Sequence, residues 1–353
     1  MISRRALLAP AALPLFGAAK PIRVAVYGTG HAHGMAKIAA LKALPPFEFV
    51  GVCEPDPSRP RLHKSLDGVR WLTQRELLED PSIELIAVES RVQDNLAYAR
   101  QAIDAGKFVH LDKAPGTNLA ALRDLLLVAA PRQKRIVQRG YQWRYHPAMN
   151  AALEAARKGW LGDIYSFRAR IDTRVSIPER NKPVSLPERI DLAAFRGGMM
   201  FELGCHLIDR ATDLLGRPTK VTGHLRLHDA PDDALADNTL SILEYPRAVA
   251  EISVAAMHPH GNAYRTIEIT GTNGSATVKP FAPYLLSTHL RSSAGPYPAG
   301  LKATEFLPDR WPSFSPDFLE MAQIIRSGAR PTYSAQHDLM TPEVLLQACQ
   351  ERT

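Results

Sequence analysis

The sequence predicts a two-part α/β protein. An amino-terminal doubly wound parallel sheet is followed by an α+β domain built on a large, mostly antiparallel open sheet. Three observations lead there. From residue 20 to about 140, short apolar runs alternate with helical patterns, the texture of βαβ units. Beyond residue 160 the runs lengthen, alternate apolar with polar, and follow one another through short turns such as Gly271-Thr272-Asn273-Gly274, as antiparallel strands do. Finally, 353 residues, 45% of them hydrophobic, are enough for two domains with cores of their own.

The first strand and the turn after it carry the strongest signal. Residues 22–27 form a β-branched run that feeds Gly28-Thr29-Gly30-His31-Ala32-His33-Gly34, and a helix over 33–43 is marked by Met35, Ile38, Ala39 and Leu41. Gly28 and Gly30 let the chain turn tightly and bring backbone N–H groups against a pyrophosphate, to which the new helix offers its positive end. A second strand over 47–53 ends in Glu54, twenty residues after Gly34, where a dinucleotide fold places the carboxylate that holds ribose hydroxyls. The turn departs from the usual pattern by setting three residues, not two, between Gly30 and Gly34. Gly28, Thr29, Gly30, His31, Gly34 and Glu54 are therefore expected to bind a nicotinamide dinucleotide. Glu54 would repel a 2′-phosphate, so NAD is expected before NADP; Arg59 is the nearby residue that argues otherwise. His31 and His33 resemble a metal pair, but no third ligand stands near them in sequence and no metal is expected.

Further strands are expected at 83–88, 107–111 and 135–139, with helices at 74–79, 94–105 and 117–130; Ala105-Gly106 supplies a helix stop. A helix over 147–158 leads into the second texture, with strands at 163–173, 219–228, 238–245, 248–257, 264–270 and 274–279. The stretch 280–313, rich in proline, serine and glycine, reads as a long loop, and helices return at 315–327 and 335–350. The division expected is 1–19, 20–141 and 142–353, with the last helices able to pack back on the first domain.

The first nineteen residues read differently. Ser3-Arg4-Arg5-Ala6-Leu7-Leu8, an apolar stretch over 9–16 and Gly17-Ala18-Ala19 describe an export signal of twin-arginine type, which would place the protein in the periplasm. The alternative is an apolar arm on a cytoplasmic enzyme. The apolar segment, broken by Pro10 and Pro14, is too short to span a bilayer. The net charge of +7 is scattered, without aromatic interleaving, which argues against a nucleic-acid surface. Cys53, Cys205 and Cys349 lie far apart and read as buried thiols, not a disulfide framework.

Two clusters carry chemistry. Asp112-Lys113-Ala114-Pro115 follows the strand at 107–111, beyond whose carboxyl end ligands of an open α/β sheet sit. Gly197 to Asp209 contains Glu202, His206 and Asp209 at spacings of four and three, which on a helix share one face. Such a face can bind a polyol, with the imidazole as base; Asp209 is expected to be structural, a partner of Arg210's neighbourhood. Arg144, Tyr145 and His146 could line the substrate pocket. Arg174, Arg180, Lys182 and Arg189 could grip an anionic group, though a solvated loop explains them as well.

The glycine turn, the lysine motif, and the Gly-Gly…Glu…Gly-x-His-x-x-Asp helix together resemble the Gfo/Idh/MocA family. Ala105-Gly106-Lys107-Phe108-Val109, residues 141–147 and residues 267–275 agree with it, and the resemblance runs from residue 21 to the C-terminus. It implies a nicotinamide-binding Rossmann domain followed by a sheet domain that holds a sugar, polyol or related molecule. Lys113 matches the family's Glu-Lys-Pro lysine, with Asp112 in place of Glu and the proline displaced by one. Ser90-Arg91 and Asn95 stand where the family has Thr-Pro and a later His, so Ser90, Asn95, Asp112 and Lys113 join the expected cofactor residues. His206 matches the catalytic histidine and Glu202 stands at an aspartate position. The implied reaction is hydride transfer between a carbinol carbon and nicotinamide, with Lys113, His206 and Glu202 catalytic and Arg144, Glu202 and His206 binding substrate. A redox-neutral glycosidase or lyase that uses its cofactor transiently, and a non-catalytic relative, are the alternatives. An uncovered sheet face predicts a homodimer or homotetramer.

Overall fold

The computed structural model describes residues 20–59, 63–173, 192–228, 234–307 and 313–350. The chain divides into two compact units. The described residues of the first fall within Met1–Asp112, Leu125–Gly140 and Asp309–Pro331, and those of the second within Lys113–Asp124, Tyr141–Pro308 and Thr332–Thr353. This differs from a single cut after residue 141. Residues 315–327 belong to the first unit because their apolar side chains complete its core, whereas 335–348 and the short helix after Lys113 belong to the second.

In the first unit five parallel strands, β1 (Ile22–Tyr27), β2 (Phe47–Cys53), β3 (Leu85–Val88), β4 (Phe108–Asp112) and β5 (Val137–Gly140), lie in the order β2-β1-β3-β4-β5. β1 and β3 are apolar at nearly every position and buried at nearly every position, as strands covered on both faces must be. The strand order reverses direction between β1 and β3, so the crevice at a switch point opens where the glycine turn and the residues after β3 meet. α1 (Gly34–Ala43), α2 (Gln74–Glu79) and α3 (Val92–Asp104) connect the strands. α2 starts in a capping box in which the Thr73 side chain accepts the Glu76 N–H and the Glu76 carboxylate accepts the Thr73 N–H. Phe318, Met321 and Ala322, from the helix Ser315–Ser327, pack with Ile22, Val24, Ile38 and Leu41.

The helix expected over 117–130 runs as α4 (Leu119–Asp124), a widened π turn at Leu125–Ala129 and a last turn at Ala130–Arg132. Pro131 has no N–H to give to residue 127, and a widened turn absorbs the missing bond.

The second unit is built on eight strands: β6 (Ile164–Asp172), β7 (Lys220–Arg226), β8 (Asn238–Glu244), β9 (Val249–Ala255), β10 (Thr266–Gly271), β11 (Gly274–Val278), β12 (Tyr284–Leu290) and β13 (Gly300–Phe306). Their order is β13-β12-β11-β10-β6-β9-β8-β7, with β6 and β9 parallel and the other neighbours antiparallel. α5 (Pro147–Arg157), α6 (Cys205–Leu215) and α8 (Ala335–Ala348), with Ser315–Ser327 counted as α7, complete the helices used below. α5 packs on β10–β13 and α8 on β7, while burial along β9 alternates, so one sheet face is covered.

The long loop expected over 280–313 is corrected: β12 and β13 lie within it. The prolines at 280, 283, 296 and 298 fall outside both strands, where a missing N–H breaks no ladder bond, and the averaged composition hid two seven-residue strands between them. Cys53, Cys205 and Cys349 are buried free thiols. No helix among the described residues is long and apolar enough to cross a membrane.

Candidate functional site

At the switch point the glycine turn is pressed against the residues that follow β3. Gly28 has φ +83°, and a Cβ there would stand 2.7 Å from Ser90 Cα; one on Gly30 would stand 2.7 Å from the Arg91 nitrogen. The turn is tied down by Gly28 N–H to Cys53 O and His31 N–H to Glu89 O, each 2.8 Å. Glu54 braces it further: one carboxylate oxygen accepts both the Thr29 N–H and the Thr29 hydroxyl at 2.6 Å, and the other accepts the Asp56 N–H at 2.9 Å. The residue expected to hold ribose hydroxyls thus also sets the shape of the turn. The N–H groups of Gly30 and Ala32 have no acceptor among the described residues, and they fit the oxygens of a pyrophosphate.

A cavity opens beside this turn, lined by Gly30, Glu54 and Ser90 together with Asp56, Arg59, Arg91, Asp94 and Tyr98. Carboxylates, two guanidinium groups and an aromatic ring thus stand together beside the turn. Asp56, Arg91, Asp94 and Tyr98 were missed by the sequence reading. The signal was the spacing of 91, 94 and 98, which puts all three on one side of the start of α3; Tyr98 stacks on Tyr27 of β1 with ring centroids 4.2 Å apart. Asn95 is buried in the first turn of α3.

His31 and Asp112 turn their polar atoms on each other. His31 Nδ1 lies 2.8 Å, His33 Nδ1 3.0 Å and Lys37 Nζ 3.1 Å from the same Asp112 oxygen, and Lys37 reaches Glu89 at 2.9 Å. Burial opposes the charge on Asp112, yet His31, Lys37 and His33 together hold its carboxyl well below the usual carboxylate range. Burial pushes the Glu89 carboxyl well above that range against the pull of Lys37. His110, fully buried beside them with Nε2 3.5 Å from Asp317, is pushed down by burial and stays neutral. The sequence reading found no third group for His31 and His33; it is Asp112, 79 residues from His33.

In the second unit Lys113 is fully buried. It donates to the Glu202 carboxylate and, at 2.9 Å, to the Glu202 backbone oxygen. Glu202 lies in a π turn at Met200–Gly204, after which α6 begins at Cys205. The stretch expected as one helical face for Glu202, His206 and Asp209 thus runs through a π turn and the start of α6. The three face different partners. His206, 2% exposed, lies against Trp143 (centroids 4.6 Å) and edge-on to Tyr141 (5.9 Å). Asp209 accepts from Arg144 Nε at 3.1 Å and Nη2 at 2.7 Å, from Arg210 Nη2 at 2.6 Å, and meets His337 at 3.1 Å.

Arg144, expected to line the substrate pocket, is 4% exposed and is the hub of this network, with Asp338 at 2.6 Å and its guanidinium 4.0 Å from the centre of the Tyr333 ring. Burial opposes its charge, but Asp209 and Asp338 raise its pKa well above the usual arginine value, and Arg144 and Arg210 in turn hold Asp209 well below the carboxylate range. Asp209 is thus paired with Arg144, Arg210 and His337. His146 likewise serves the local fold. Its Nδ1 accepts the Met149 N–H at the start of α5, its Nε2 donates to Phe281 O at 2.8 Å, and burial pushes its pKa down. Residues 1–19 and the basic residues Arg174, Arg180, Lys182 and Arg189 lie outside the described residues.

A doubly wound sheet with a braced glycine turn at its switch point defines a dinucleotide-binding protein. The family comparisons agree: residues 22–141 match the model described as oxidoreductase family, NAD-binding Rossmann fold, and residues 149–277 match the GFO/IDH/MocA C-terminal domain. Together they cover more than two thirds of the chain, which belongs to the Gfo/Idh/MocA oxidoreductase family; its first unit is an NAD-binding Rossmann domain. An uncharacterised oxidoreductase of Schizosaccharomyces pombe is 30% identical over 58% of this chain and 54% of its own. The trans-1,2-dihydrobenzene-1,2-diol dehydrogenase of Mus musculus is 27% identical over 59% of each chain. The chain thus spans little more than half the length of these curated relatives. Among solved structures, an oxidoreductase from Agrobacterium radiobacter in complex with NAD+, L-tartaric acid and magnesium shares the fold, with TM-score 0.75, 16% identity, and coverage of 92% of this chain and 94% of that one.

Proposed function

We propose that the protein is an NAD-dependent dehydrogenase acting on a hydroxyl-bearing carbon of a sugar, polyol or related small molecule. The observation that carries this reading is the buried Lys113–Glu202 pair, with Glu202 four residues before His206, whose imidazole lies against Trp143 and edge-on to Tyr141. In this reading the first unit holds the cofactor and the second supplies the proton-transfer groups. NAD, when bound, accepts the hydride from the carbinol carbon. His206 takes the hydroxyl proton as the C–O bond becomes a carbonyl, and Lys113 hydrogen-bonds that oxygen and steadies the charge that develops on it. Glu202 holds the ammonium in place. General base catalysis of this kind contributes about 10²–10⁴-fold. The mouse relative is named as a dehydrogenase of a vicinal diol, which supports a substrate with neighbouring hydroxyl groups.

The test is a panel of sugars, polyols and cyclic diols, scored for net NADH formation. Substrate-dependent NADH that disappears in Lys113→Ala and His206→Ala, with NAD binding retained, supports the reading. Substrate conversion without net NADH would replace it with the redox-neutral hydrolase or lyase, and binding without conversion with a non-catalytic relative.

We further propose that residues 1–19 act as a twin-arginine export signal, and that the uncovered face of the eight-stranded sheet, which carries Val249 and Leu301, joins a second copy of the chain. Arg4→Lys with Arg5→Lys should retain the protein in the cytoplasmic fraction. Light scattering should give twice or four times the chain mass, and a monomer would sink the second proposal.

A further inference from the structure

Behind the glycine turn of the first unit, two imidazoles and a carboxylate converge. The candidate ligand atoms of His31, His33 and Asp112 all lie within 4.8 Å of one another, although 79 residues separate His33 from Asp112. We propose that these three residues form a binding site for a divalent transition-metal ion of the zinc, cobalt and nickel class.

The donor set favours that class. Two imidazole nitrogens and one carboxylate oxygen suit borderline metals, whereas magnesium and calcium take oxygen ligands throughout. The spacing is close to what such an ion needs. Bonds of about 2.0–2.2 Å in a tetrahedral site put ligand atoms roughly 3.4 Å apart. His31 Nδ1 and His33 Nδ1 stand 2.8 and 3.0 Å from Asp112 Oδ2, so the cluster opens by about half an ångström to admit the ion.

Two further contacts shape the site. His31 Nδ1 lies 3.1 Å from the His33 backbone N–H, a donor, and 2.8 Å from the Asp112 oxygen, an acceptor. An ion bound by this nitrogen takes the lone pair that faces the His33 N–H, and the carboxylate oxygen becomes its second ligand. Lys37, a buried ammonium, pairs with Asp112 at 3.1 Å and with Glu89 at 2.9 Å. Lys37 is then the outer-sphere donor that orients the ligating carboxylate, the supporting contact metal sites require. The His33 side chain is 17% exposed, which provides the entry path. The ion would tie the glycine turn to the end of β4 and stiffen the turn itself.

The test uses the full chain, tag removed and metal stripped with a chelator, titrated with Co2+ and then Zn2+. One Co2+ per chain with the intense visible bands of four-coordinate cobalt, displaced by Zn2+ and accompanied by a higher thermal midpoint, is the expected result. His33→Gln should weaken binding roughly 100-fold, while His258→Gln, on the surface pair His258 and His260, should leave it unchanged. A weak spectrum of hydrated cobalt, or equal binding by wild type and His33→Gln, overturns the site. Should His33→Gln fail to fold by circular dichroism, wild-type stoichiometry and the cobalt spectrum decide alone.

Discussion

Lys113 is bonded twice to one residue: its buried ammonium reaches both the side-chain carboxylate and the backbone oxygen of Glu202. The carbonyl bond fixes where the nitrogen sits, and the carboxylate sets a counter-charge beside it away from water. A lysine held this way is a positioned cation instead of a mobile surface group.

Lys113→Met should therefore lower kcat by about 10²–10³-fold, with any loss of NAD affinity much the smaller effect, since the main loss falls on charge that develops during the reaction. Glu202→Gln keeps the shape and should give a smaller fall. Steady-state kinetics alongside NAD titration check both; a change confined to KM would remove Lys113 from the chemistry.

His206→Asn should lower kcat by about 10²–10⁴-fold and erase the acid limb of the pH profile, because the group that must be unprotonated is gone. A retained limb would assign the base to another residue.

Arg144→Met should destabilise the second unit by about 3–5 kcal/mol, read as a lower urea midpoint, because Asp209 and Asp338 lose the buried guanidinium they share, Asp209 keeping Arg210 and His337. Arg144→Lys should recover only part, since one ammonium does not replace a fork that meets two carboxylates. An unchanged midpoint would mean that water reaches these carboxylates.

His110 and His146 have pKa values lowered by burial, so the fold keeps them neutral. In the unfolded chain they take up protons below about pH 6.5. Their contribution is thus complete above that value and is lost as pH falls towards their folded-state pKa. Thermal midpoints should drop between pH 7 and 5, by approximate reference to the free imidazole, and the drop should shrink in His110→Gln. A flat profile would contradict the neutral state of both.

Gly28→Ala should weaken NAD binding and cost about 1–2 kcal/mol, because L residues disfavour the φ of +83° and the new Cβ meets Ser90. Isothermal titration and thermal unfolding read the two effects separately. Undiminished affinity would mean that the turn can shift without disturbing the phosphate donors.

Most of the fold was legible in the residues. α2 and α7 begin and end where their patterns say, and β1 and β2 coincide with their apolar runs. The failures share a cause. At 280–313 a window of turn residues outweighed two short strands, and at 200–204 nothing in the local spacing announces a π turn.

By itself the sequence determined the kind and order of the elements outside 280–313, the glycine turn, and Lys113 and His206 as the residues to watch. Hydrophobic period, glycine placement and strand-end position are local properties that neighbouring residues encode. Only the tertiary structure decided that Asp112 meets His31 and His33, that Arg144 belongs to Asp209 and Asp338, and that α7 completes the first core. Those pairings join residues far apart in the chain, and what selects them is the cost of burying charge without a partner and apolar surface without a neighbour, which no local pattern records.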